Sequence, residues 1–252
     1  MKKFLIVISL FLIFLLMISN LVNAEGEVKH LPLLAVQELP DGSYKGSTAD
    51  LFLEIREGDG RVFLDTSPLT KIDTQISTRY AKDIACNYYD LDCDKYDFIY
   101  TIRAKSSIIG GPSAGAAIAA LTTIAVLDLE YDEKVAITGT INSGGIVGPV
   151  GGVKEKVKVA AEEGLSIALV PLGSVSSVKE NNSSNETVNI TELDNVNESN
   201  KLVENPYENF TDYNVEDLSI EVVEVTDLND LIYYLSGKEL KTNGYNFEVD
   251  QG

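Results

Sequence analysis

The chain has 252 residues, 44% of them hydrophobic, enough to build a core in one large domain or two small ones. A formal charge of −19 argues against a nucleic-acid partner, which needs clustered Lys and Arg, and suits an acidic surface that keeps an exported protein soluble. With one histidine, two cysteines and no metal-ligand spacing among the carboxylates, a metal site is not expected.

At the start of the chain, Lys2 and Lys3 precede a nineteen-residue apolar run from Phe4 to Val22, broken only by Ser9, Ser19 and Asn20. Val22-Asn23-Ala24 has the small residues a signal peptidase needs, so residues 1–24 read as a signal peptide cleaved after Ala24 or as a retained anchor of bilayer length. Either form places the remainder, 25–252, outside the cytoplasm, secreted or held to the outer side of the membrane by this segment alone.

Strands are expected over 31–39, 49–58 and 60–67, the last two joined at Asp59-Gly60. Residues 70–87 have helical spacing through Ile72, Ile76, Tyr80 and Ile84. Cys86 and Cys93 stand seven apart and suit a small disulfide loop in an oxidising compartment, with two buried thiols as the alternative. Phe98, Tyr100 and Ile102 alternate as a strand does and lead to IIGGPSAGAA at 108–117. A helix follows over 113–128, with Pro112 suited to its first turn. Then come a strand at 134–140, a Gly-rich turn or hairpin at 141–152, a helix at 153–163 and a buried strand at 166–171.

Residues 176–216 form a polar, Asn-rich insertion with too little apolar content to fold around itself. Asn-X-Ser/Thr acceptors at Asn181, Asn182, Asn185, Asn189, Asn197 and Asn209 all fall within it and suit an exposed, glycosylated loop. A strand at 219–225 and a helix at 228–235 complete an α+β or mixed α/β pattern.

Ser113 sits at the mouth of a helix, where unpaired amides carry the positive end of the helix dipole and can stabilise an oxyanion. A phosphate loop is excluded because Ala116-Ala117 stands where Lys-Ser/Thr is required. GPSAG also matches the G-x-S-x-G elbow, but that fold needs a histidine after the serine, and the only one, His30, lies upstream. A nucleophilic Ser113 therefore needs another base, and a neutral, buried lysine can serve. The helix at 153–163 offers Lys154, Lys156 and Lys158; Lys158 projects furthest from its apolar face, and periodicity does not choose between the other two.

The stretch from IIGGPSAGAA through VAITGTINSGGIVGPVGGVKEKVKVAAEEG to IALVP closely resembles the proteolytic domain of Lon proteases, which are Ser-Lys peptidases. In that family the nucleophile is the serine of P-S-A-G and the base is the second lysine of G-G-x-K-E-K, 43 residues on; Ser113 and Lys156 keep that spacing. The resemblance also implies Thr138 as a hydroxyl that helps hold the lysine, against the plainer alternative of a strand residue. It further implies backbone around Gly111, Pro112 and Ala114 as the oxyanion site, and a fold of the ribosomal protein S5 domain 2-like class. Lon-type domains commonly form rings, so a homo-oligomer is implied without a subunit number. Thr140 replaces the family's usual Glu, and Ile109-Gly110 replaces its Lys-Asp. With no Walker motif in the sequence, the expectation is an ATP-independent peptidase acting on flexible or unfolded polypeptides. The alternative is a catalytically silent binding or scaffold glycoprotein on the same fold.

Overall fold

A computed structural model describes residues 27–39, 43–105, 110–175 and 218–241. The N-terminal segment 1–24, the Asn-rich insertion and all six glycosylation acceptors lie outside the described residues. The architecture is mixed α/β. Nine strands are described: β1 (Lys29–Glu38), β2 (Tyr44–Glu57), β3 (Val62–Ser67), β4 (Tyr96–Ala104), β5 (Val135–Ile137), β6 (Thr140–Ile141), β7 (Val147–Gly148), β8 (Ile167–Pro171) and β9 (Glu221–Val225). Four α-helices accompany them: α1 (Ile72–Tyr88), α2 (Gly115–Val126), α3 (Val153–Glu162) and α4 (Leu228–Ser236).

Seven strands form one sheet in the order β3-β4-β2-β1-β5-β8-β9, and β6 and β7 form a separate hairpin. β1, β5, β8 and β9 run parallel, while β2 is antiparallel to both β1 and β4. Asp59-Gly60 does turn the chain between β2 and β3, but these strands do not pair; β4 lies between them, parallel to β3. The physical reason is Asp97 at the start of β4, whose carboxylate accepts the Asp59 and Arg61 amides at 2.9 and 3.1 Å and an Arg61 guanidinium bond at 3.0 Å. The Arg61 guanidinium and these amides hold that carboxyl down at about 2.

Alternation along the strands separates two cores. One face carries Leu33, Leu51, Leu53, Phe98, Tyr100, Ile102, Ile137 and Leu169 beneath α1, α2 and α4. Leu34, Ala136, Ala168 and Val170 point the other way, against Val157 and Ala160 of α3. Every residue of α2 from Gly115 to Ala125 is buried, which explains its apolar composition on all sides. The four-residue apolar series on α1 proved a poor guide to its packing side: Ile72, Ile76 and Tyr80 are 73%, 63% and 45% exposed, and the buried face is Thr74, Thr78, Ala81, Ile84 and Ala85. Cys86 and Cys93 are joined by a disulfide tying the end of α1 to the short 3₁₀ turn at Cys93–Lys95.

Candidate active site

The expected strand over 134–140 is interrupted, and the interruption builds the site. β5 ends at Ile137, β6 starts at Thr140, and Thr138-Gly139 between them turns its backbone bonds elsewhere. Thr138 N–H donates to Leu169 of β8 at 3.0 Å. Gly139 N–H donates to the carbonyl of Ser113, and its own carbonyl accepts from Ala116 N–H, each at 3.0 Å. A Cβ on Gly139 would lie 2.5 Å from Val147 Cγ1 and 3.3 Å from Ala116 Cβ, so only glycine lets the hairpin and α2 close on this point. The site thus stands at the carboxyl end of a parallel strand, a position where open α/β sheets commonly bind ligands.

Ser113 belongs to the turn just before α2, followed by Ala114 as the N-cap residue. That turn is closed by Gly115 N–H donating to Pro112 C=O at 2.9 Å. Ser113 is partly exposed.

Lys156 arrives from the opposite face of the sheet on α3. It is 2% exposed, whereas Lys154 and Lys158 on the same helix are exposed, so of the three lysines only Lys156 is buried. Its Nζ donates to Thr138 Oγ1 at 3.0 Å. Desolvation in this apolar setting pulls the ammonium pKa down from 10.5 to about 8, which makes the neutral amine accessible near physiological pH. Thr138 is fully buried, and its hydroxyl and backbone link Lys156 to the residue that pairs with Ser113. Among the described residues no hydrogen bond joins Ser113 to Lys156.

The residues expected around the oxyanion divide by geometry. Gly111 takes a left-handed φ of 91°, and its N–H donates to Asp73 Oδ2 at 3.1 Å. Pro112 has no N–H to offer. Ala114 and Ser113 retain amides at the mouth of α2 that can meet an oxyanion. Sequence reasoning missed Asp73 and Gly46. A Cβ on Gly46 of β2 would fall 2.2 Å from the Glu155 carbonyl oxygen, so this glycine lets α3 sit close to the sheet one residue before Lys156. Among the described residues no group of His, Cys, Asp or Glu side chains is arranged to hold a metal.

The family model described as the Lon protease (S16) C-terminal proteolytic domain matches residues 79–204, half of the chain. A Lon protease of Methanosphaera stadtmanae is 43% identical over 84 residues, 32% of this chain and 10% of that protein. Lon protease 2 of Bacillus subtilis is 43% identical over 63 residues, 25% of this chain and 11% of the relative. The archaeal Lon protease of Methanothermobacter thermautotrophicus is 32% identical over 91 residues, 36% of this chain and 14% of its own length. The matched segments therefore span about a tenth of the curated relatives' length.

Proposed function

The chain belongs to the Lon protease (S16) C-terminal proteolytic domain family, and from that premise we propose that it is a serine endopeptidase using Ser113 as nucleophile and Lys156 as general base. The observation that carries this reading is the burial of Lys156, with Thr138 as hydrogen-bond acceptor and a pKa lowered to about 8. A solvated lysine would stay protonated at neutral pH and could not accept a proton.

The neutral Nζ of Lys156 takes the Ser113 hydroxyl proton as Oγ bonds to the peptide carbonyl carbon. The resulting oxyanion is stabilised by the Ser113 and Ala114 amides and by the positive end of α2. The tetrahedral adduct collapses, the C–N bond breaks, and the leaving amine takes the proton back from Lys156. Water, deprotonated by Lys156, then attacks the acyl carbon; the C–Oγ bond breaks, and Lys156 returns the proton to Ser113 Oγ. The chemistry needs no metal or cofactor.

Substrates on this reading are flexible or already unfolded polypeptides, cut by this chain without ATP. The proposed location is outside the cytoplasm, supported by the apolar N-terminal run and by the Cys86–Cys93 disulfide. Among the described residues no helix is long and apolar enough to cross a membrane, so anchoring would rest on the first 24 residues. Glycosylation of the Asn-rich segment and assembly into a homo-oligomer belong to the same proposal.

A second reading, a catalytically silent module, draws on the absence of a Ser113–Lys156 hydrogen bond among the described residues. A serine-directed acylating probe separates the two. The peptidase reading expects a single adduct at Ser113 by mass spectrometry, at least ten-fold slower to form in Lys156→Met; no adduct on folded wild type would favour the silent module.

A further inference from the structure

Gly111, two residues before Ser113, is held by the start of α1. Gly111 has φ of 91° with nothing within 4 Å of where a Cβ would stand, so glycine serves there for conformation and not for room. Its N–H donates to Asp73 Oδ2 at 3.1 Å, and its C=O accepts from Thr74 Oγ1 at 3.4 Å. The other Asp73 oxygen accepts Thr74 N–H at 2.7 Å, which locks the carboxylate's direction. Thr74 itself is only 2% exposed, and its carbonyl accepts from Thr78 Oγ1 at 2.8 Å. One residue earlier in the turn, a Cβ on Gly110 would lie 2.9 Å from Lys71 Cδ.

We infer that Asp73 is a positioning residue for the nucleophile: by holding the Gly111 amide it fixes the left-handed conformation that delivers Ser113 to the mouth of α2. The inference rests on the peptidase reading. Glycine adopts positive and negative φ with similar ease, so a Gly-Gly-Pro turn left to itself would populate several paths into Ser113. A charged acceptor on a rigid helix selects one of them. The same bond commits the Gly111 N–H, which leaves oxyanion binding to the Ser113 and Ala114 amides. Asp73 touches neither the reacting atoms nor Lys156 in this geometry, so its removal acts on kcat more than on KM.

The test compares the full chain with Asp73→Ala and Asp73→Asn, measuring peptide hydrolysis, thermal melting and hydrogen exchange at the Gly111 amide. Asparagine keeps an oxygen that can accept the Gly111 N–H. The expected result is a ten-fold or larger fall in kcat for Asp73→Ala with KM within two-fold, faster exchange at Gly111, and recovery of both in Asp73→Asn to within about three-fold of wild type. Wild-type or higher kcat in a folded Asp73→Ala overturns the inference, as does equal loss in both variants. If wild type cleaves nothing, the peptidase reading fails separately, and exchange at Gly111 still decides the grip: faster only in Asp73→Ala upholds it, unchanged overturns it.

Discussion

Lys156 can act as a base only while it is neutral, and the same burial that lowers its pKa costs stability. Its folded pKa of about 8 lies below the ordinary 10.5, so the folded state binds the lysine proton less tightly than the unfolded chain does. That penalty is fully present below pH 8 and fades as pH rises from about 8 towards 10.5. Its size at neutral pH is of order 3 kcal/mol. Lys156→Met, which keeps the volume and drops the charge, is therefore expected to melt higher than wild type at pH 7, the difference shrinking above pH 8. On the catalytic side, kcat/KM of wild type should rise with pH along an acid limb centred near 8. A limb near 10.5, or a Lys156→Met that melts lower at pH 7, would speak against a desolvated base.

Elements matter here through their spacing. α2 brings Ser113 from one face of the sheet and α3 brings Lys156 from the other; Thr138-Gly139, released from the strand pattern, bonds to both. How far α3 can approach is set at Gly46, where an added Cβ would lie 2.2 Å from the Glu155 carbonyl oxygen and 3.0 Å from Val159 Cβ. Gly46→Ala should push α3 outward, destabilise by about 1–3 kcal/mol as overpacking does, and lower kcat by more than the melting shift alone predicts. Thermal melts beside peptide kinetics check this, and unchanged kcat would show that α3 tolerates the displacement.

At this level the sequence was informative about elements and less so about faces and breaks. Period-two and helical spacing foretold most of the described strands and helices, but β2 begins at Tyr44, five residues before the expected 49, the 3₁₀ turn at Cys93–Lys95 was not expected, and 134–140 divides into β5 and β6. It could not foretell that division, because the partner of Gly139 is Ser113, 26 positions earlier in the chain. Nor could spacing reveal that Ile72 and Ile76 face outward, since an apolar stripe states only that a helix has two sides. The sequence could single out Ser113 and Lys156 as candidates because their motifs are local and carry a family's spacing. Asp73 and Gly46 were not: each matters through one close approach to a distant backbone atom.

At the scale of the whole molecule, we propose that a Lon-type proteolytic domain, carrying a net charge of −19 and a disulfide beside its first helix, cuts unfolded polypeptide without ATP. The features that would set its surroundings, the apolar N-terminal run and the six glycosylation acceptors, sit in segments separate from the site's framework. The dyad chemistry can therefore be tested independently of them. The most direct measurement is incubation of the purified chain with casein, with and without ATP, beside Ser113→Ala. The account predicts cleavage by wild type at equal rates in both conditions and none by Ser113→Ala. Cleavage that survives in Ser113→Ala, or a folded wild type that leaves casein intact, would contradict it.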